Sequence, residues 1–254
     1  MMIVSSHSPI RQRQTGFTLI EMAMVLIIVA LLLGGLLPTL SSQVEQRHEN
    51  DTRKQLDEIQ QALIGYAIIN GRLPCPATST SNGAESPSGG GNCTNFYNGY
   101  VPAATLGLSG ATRSGLVLDS WGNPIHYAVT SWNSSSPAVN DVFTTPNGMR
   151  TVGISNLAPS LLVCSSSTAS GFSSGSSCGS GNALTSSPGV PVVLFSTGKD
   201  GPQGSGADEL ANLANKLTFI SHTPTPSPNQ FDDIVTWMSP NVLVNRMVSA
   251  GKLP

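Results

Sequence analysis

From Phe17 to Leu37 the chain is apolar, with Thr18 and Glu21 as its strongly polar members. At ~1.5 Å rise per residue, about 21 helical residues span roughly 31 Å, the depth of one bilayer core. A segment apolar on every side must be covered by lipid or by other protein, which restricts the fold more than any other feature here. A carboxylate inside such a run costs a few kcal/mol to insert, so Glu21 calls for a partner or for a place close to the interface.

The residues ahead of the run carry Arg11 and Arg13 and no acid. A secretory signal places its small-residue cleavage site after the apolar core. Here the small residue, Gly16, comes before it, which suits a leader cut on the cytoplasmic side. Glycine has no Cβ to obstruct a protease at that bond. Cutting there frees an amine on Phe17, four residues before Glu21, and the two arginines keep that end in the cytoplasm while the rest is exported.

Gly16-Phe17-Thr18-Leu19-Ile20-Glu21 followed by an apolar run resembles the cleavage and methylation motif of type IV pilins and type II secretion pseudopilins. The resemblance implies that a prepilin peptidase removes residues 1–16 and N-methylates Phe17. It also implies a single-pass subunit in the bacterial inner membrane, in contact with membrane lipid, with its head in the periplasm. An inner-membrane assembly platform would then extract it into a pilus or pseudopilus with other pilin-like subunits. In that fibre Glu21 pairs with the amine of a neighbouring Phe17, neutralising both buried charges. Pro38 falls where many pilins carry a helix-kinking proline.

These readings divide the chain into a leader (1–16), a transmembrane helix (17–38), an amphipathic continuation of that helix (39–70) and an exported head (71–254). In the continuation Leu56, Ile59, Leu63, Tyr66 and Ala67 form one helical stripe. Gly71, Pro74 and Pro76 end it. Gly34, Gly35 and Pro38 make the weakest helical stretch. The head is long enough for one core of its own. Within it, Asp119 to Pro124 reads as a turn in which Asp119 accepts backbone N–H groups. Ile125, Tyr127 and Val129 alternate with His126 and Ala128 as a half-buried strand does. "VPVVLFSTGKDG" is a strand entering a Gly-rich turn, and "DDIVTW" a further strand. A short helix follows, capped by Ser239 and Pro240 at one end and Gly251 at the other. The expected class is α+β: a long N-terminal helix on a small antiparallel sheet, closed by a short C-terminal helix.

Cys75, Cys93, Cys164 and Cys178 all follow the apolar run, and an even number in an exported context favours disulfides. Three pairings exist; Cys75 with Cys93 and Cys164 with Cys178 is favoured because each closes a polar loop. No C-x-x-C spacing points to a metal. Of 12 basic residues, losing Arg11 and Arg13 leaves 10 against 14 acids, a mature net charge of −4. No basic footprint for nucleic acid remains.

Two further segments extend the resemblance. "DSWGNPIHY" is similar to an Asp-x-Trp-Gly-Asn-Pro segment of major pseudopilins, and "STGKDGPQGSGADE" followed by "FDDIVTW" resembles their C-terminal loop and closing strand. In that family the loop binds calcium. Matched by position, the ligands are Asp200 and Asp233, with Asp232 and Asp208 as additional oxygens. An insertion from Glu209 to Gln230 separates the two acids, a departure from the family pattern. No enzyme is expected: Gly171-Phe172-Ser173-Ser174-Gly175 matches G-x-S-x-G but sits in a Ser/Gly tract without the strand and helix of a nucleophile elbow. The function expected is a structural fibre subunit. The alternative is a membrane-anchored adhesive or substrate-binding module, with the Ser/Gly loop 165–177 as its contact surface.

Overall fold

The computed structural model describes residues 16–109, 114–180 and 183–254, with the side chains of 33–41 outside the description. The leader before Gly16 therefore lies outside the described residues, as does the side chain of Pro38. The chain divides into two compact units, Met1–Arg47 and His48–Pro254. One α-helix, α1 (Leu19–Asn70), runs through both, and its helical assignment continues across Gly34, Gly35 and Pro38.

In the first unit, every apolar side chain larger than alanine from Phe17 to Leu32 is exposed, by 44% to 89%. No helix among the described residues is long and apolar enough to cross a membrane. The second unit begins on the amphipathic part of α1. Its stripe is the expected one, with Leu56, Ile59, Leu63 and Ala67 buried, and Thr52 and Ile64 buried beside them. Tyr66 is half-buried, its hydroxyl directed to Glu85. Gly71 ends the helix at φ +70°, which glycine adopts without steric cost, and its N–H bonds the Ala67 carbonyl at 2.8 Å.

The head is built on an antiparallel sheet of β1 (Gly99–Tyr100), β2 (His126–Val129), β4 (Val192–Ser196) and β6 (Ile234–Met238), in the order β1-β2-β4-β6. A separate parallel pair joins β3 (Leu162–Cys164) to β5 (Thr218–Ile220). Between β4 and β5 lies the short helix α2 (Ala207–Asn212), and after β6 comes α3 (Pro240–Ser249), which buries Leu243 and Met247. Gly251, at φ +70°, follows α3; at its start Ser239 is extended, but its side chain makes no capping bond.

The alternation expected for β2 is corrected by the structure. All four of its residues are buried, because the sheet has a core on each face. Tyr127, Val129, Val192 and Leu194 join the stripe of α1 in the larger core. Ala128, Val193 and Phe195 pack instead with Leu161, Val163 and Phe219 of the parallel pair. His126 stacks on Phe195, directly across the ladder, with ring centroids 4.6 Å apart. The surface read as polar is thus an interior one, covered by the segments inserted between the sheet strands.

Both disulfides are formed, Cys75 with Cys93 and Cys164 with Cys178. Ser173 of the G-x-S-x-G match lies in a small hairpin, Phe172–Ser173 paired with Ser177–Cys178, inside the second disulfide loop. A nucleophile elbow instead passes from strand to helix.

Candidate functional site

At the start of α1, the Thr18 and Glu21 side chains bond each other's backbone. Thr18 N–H and Oγ1 donate to Glu21 Oε2 at 3.4 and 3.5 Å, and Glu21 N–H donates to Thr18 Oγ1 at 3.3 Å. This is the reciprocal arrangement of a capping box, two orphan donors of the first turn satisfied together. Its spacing, Thr-x-x-Glu, stands in the sequence, but the sequence reading gave Glu21 only an intermolecular task. The N–H that the carboxylate accepts belongs to Thr18, the residue after Phe17.

The second place of interest lies at the end of β4. Asp119 holds the turn expected of it: Oδ1 accepts from Trp121 N–H at 3.0 Å and Asn123 N–H at 2.8 Å. Its Oδ2 accepts from Ser196 Oγ at 2.5 Å, and Asn123 Nδ2 donates to the Gly198 carbonyl at 2.7 Å. The Asp-Ser-Trp-Gly-Asn-Pro turn therefore latches the Gly-Lys-Asp-Gly loop. Gly198 takes φ +62° and Gly201 φ +66°. A Cβ at Gly198 would overlap Asp232 Oδ1, and one at Gly204 would overlap Glu209 Oε2, so the loop closes on carboxylates at both points.

Asp200, Glu209 and Asp232 each place a carboxylate oxygen within 4.8 Å of the others. Asp232 Oδ2 accepts from Lys199 N–H at 3.0 Å, and Gln230 Nε2 donates to Asp200 Oδ2 at 2.8 Å. Glu209 accepts from Gly206 N–H and Asp232 N–H, both at 3.1 Å. The remaining oxygens, Asp200 Oδ1 and Asp232 Oδ1, are buried without a hydrogen-bond partner. Burial, and then the neighbouring Asp200 carboxyl, push Asp232 up to about 6. Asp200 is raised too, by burial and by Glu209. Two orphaned, buried carboxyl oxygens and an all-oxygen donor set fit a hard cation such as calcium.

The ligand set read from the sequence needs correction. Asp233 is not in the cluster: its Oδ2 accepts from Asn212 Nδ2 at 2.7 Å, and burial raises its carboxyl well above the ordinary range. Successive side chains at the entry to a strand point to opposite sides, so Asp232 takes the place given to Asp233. Asp208 is likewise occupied elsewhere, with Ser167 and His222. Glu209, the first residue of the insertion, was missed altogether. The insertion does not hold the acids apart: α2 carries one into the site.

An apolar, exposed helical segment opening on a Thr18–Glu21 box, and continuing as the helix of an α+β head, defines a pilin-like fibre subunit. Residues 11–37 match the family model for the prokaryotic N-terminal methylation motif. Over 122 residues, 46% of this chain and 75% of the relative, the sequence is 30% identical to type II secretion system core protein G of Pseudomonas aeruginosa. The chain belongs to this pilin-like family of type II secretion pseudopilins. No solved structure matches it.

Proposed function

We propose that this protein is a pseudopilus or pilus subunit that waits in the inner membrane on the helix 17–38 before entering the fibre. A prepilin peptidase releases it from the leader after Gly16 and methylates Phe17. The observation that carries this reading is the apolar surface exposed all round from Phe17 to Leu32, which lipid covers before assembly and neighbouring subunits cover afterwards. Glu21 is the one acid in that surface. It caps its own first turn through Thr18, the residue after the one on which cleavage leaves an amine, and in the fibre it accepts the amine of a neighbour.

Mass spectrometry of the protein isolated from cells tests the processing: the N-terminus is methyl-Phe17. An N-terminus at Met1, or beyond Leu37, overturns the reading. Glu21→Ala keeps membrane insertion but loses co-purification with sister subunits; retained co-purification refutes the pairing.

In the head, calcium on Asp200, Glu209 and Asp232 is the second part of the proposal. When bound, the ion supplies a charge-neutralising cross-link between oxygen atoms. The protein contributes the scaffold: Asp119 and Asn123 hold the loop, Gly198 and Gly204 leave room for the acids, and α2 presents Glu209. Titrating calcium into the purified full-length protein in detergent raises its Tm, and chelation reverses the rise. Asp200→Ala removes the response. An unchanged Tm refutes the cation site and leaves the fibre reading standing.

A further inference from the structure

Asp208 and Glu209 are neighbours on α2, yet their carboxylates serve different parts of the head. Glu209 enters the acidic cluster, as described. Asp208 Oδ1 accepts from Ser167 N–H and Ser167 Oγ, both at 2.6 Å, and Ser166 Oγ lies 3.4 Å from each Asp208 oxygen. On its other side Asp208 Oδ2 meets His222 Nε2 at 3.1 Å, and the His222 ring stacks on Phe231 at 3.9 Å. Ser166 and Ser167 open the surface loop closed by Cys164 and Cys178. Phe231 immediately precedes Asp232 of the cluster.

The helix that carries both acids is six residues long. Isolated helices of that length do not persist in water, so its position depends on what its side chains grip. Beside the packing of Ala211, three of its polar side chains grip the surroundings: Glu209 on the cluster, Asp208 on the disulfide loop, and Asn212, whose side chain bonds Ile220 N–H at 2.6 Å and Asp233 Oδ2 at 2.7 Å. Without a cation, three carboxylates crowd one another and Glu209 is the member with a short movable support. Its displacement moves Asp208 with it.

We infer that the cation held by Asp200, Glu209 and Asp232 also fixes the Ser/Gly loop 165–177, with Asp208 as the connecting residue. The inference rests on the cation reading under Proposed function. It makes the surface offered by this loop conditional on calcium: ordered in a calcium-containing exterior, loosened when calcium is withdrawn. Asp208 in this account is a positioning residue that touches no ion.

Hydrogen–deuterium exchange of the full-length protein in detergent, with calcium or with chelator, tests it alongside a calcium titration. Calcium at about ten times its Kd slows exchange in peptides covering 165–177, by up to roughly elevenfold, the limit that linkage sets. In Asp208→Ala, calcium still raises Tm but no longer slows exchange in that loop. Should this variant fail to fold, the double substitution Ser166→Ala, Ser167→Ala removes the hydroxyl donors while keeping α2 intact, and diminishes the same response. Calcium that binds and raises Tm while leaving 165–177 unchanged in the wild type overturns the coupling alone. Absence of any calcium binding overturns the cation reading and the coupling with it.

Discussion

Arg72 and Glu85 meet side-on in the interior of the head, Nη2 to Oε1 at 2.6 Å and Nη1 to Oε2 at 2.8 Å. Arg72 follows the glycine that ends α1, and Glu85 lies within the first disulfide loop, so the pair ties the helix exit to that loop. Glu85 also accepts from Cys75 N–H at 3.1 Å and Gly89 N–H at 3.2 Å. Burial alone would raise the Glu85 carboxyl, but Arg72 and these donors outweigh it and hold the carboxyl below its ordinary value. Replacing Glu85 by Ala strands a buried guanidinium, which costs about 3–5 kcal/mol. The urea midpoint of Glu85→Ala is expected to fall accordingly. A shift equivalent to less than about 1 kcal/mol, the range of a surface pair, would contradict a structural role.

The two disulfides close loops with sequence separations of 18 and 14 residues. Chain entropy in the unfolded state assigns about 3 kcal/mol to loops of this length. Non-reducing peptide mapping recovers Cys75 with Cys93 and Cys164 with Cys178. Double alanine variants should differ, though. Losing Cys75–Cys93 frees the loop that carries Glu85 and lowers Tm by more than losing Cys164–Cys178, whose loop has its own hairpin and the Asp208 contacts. Equal losses would show that the ion pair holds its loop unaided.

These two features differ in how far they could be read in advance. Cysteine count and polar loop composition pointed to the pairing, whereas nothing in the spacing of Arg72 and Glu85 announces an ion pair. The stripe of α1 and the turn at Asp119 were legible because their periods and side-chain chemistry act locally. In the acidic site, Asp200 was reached through the resemblance of its loop to that of the pseudopilins, and it does belong to the cluster. Asp233 was misplaced by one position, and in extended chain one position reverses the direction of the side chain. Glu209 ends the loop segment that carries the resemblance, but only the docking of α2 brings its carboxylate to the cluster. His126 and Ala128 read as an exposed strand face because alternation cannot report a second core supplied by Leu161, Val163 and Phe219, far along the chain.

His126 makes that second core sensitive to acid. Burial holds the imidazole down to about 4, against an ordinary value of 6.5. A depressed base binds its proton more weakly in the folded state, so its contribution to stability is complete above about 6.5 and is lost as pH falls toward 4. The shift is worth about 3 kcal/mol. His126→Phe keeps a ring against Phe195 and cannot charge. The Tm difference between wild type and His126→Phe should therefore widen against the wild type from pH 7 to pH 4.5. A difference independent of pH would mean that His126 titrates normally.

The acidic cluster responds to pH with the opposite sign. Asp232 is raised to about 6 from 3.8, so without a cation its contribution is complete below about 3.8 and is lost as pH rises through 6. Asp200 and Asp233 are raised as well and act in the same direction. A proton and a cation thus do the same work, relieving repulsion among clustered carboxylates, and they compete for the same oxygens. The quantity to measure is the rise in Tm caused by calcium at each pH, because the acid effect of His126 is common to both samples and cancels. That rise should be largest near pH 7 and shrink as pH falls through 6 toward 5. Asp232→Asn, a neutral stand-in for the protonated acid, should lose most of the calcium response, and what remains of it should depend less on pH than in the wild type. A calcium increment of equal size at pH 5 and pH 7 would show that the ion, if bound, is held by groups other than this cluster.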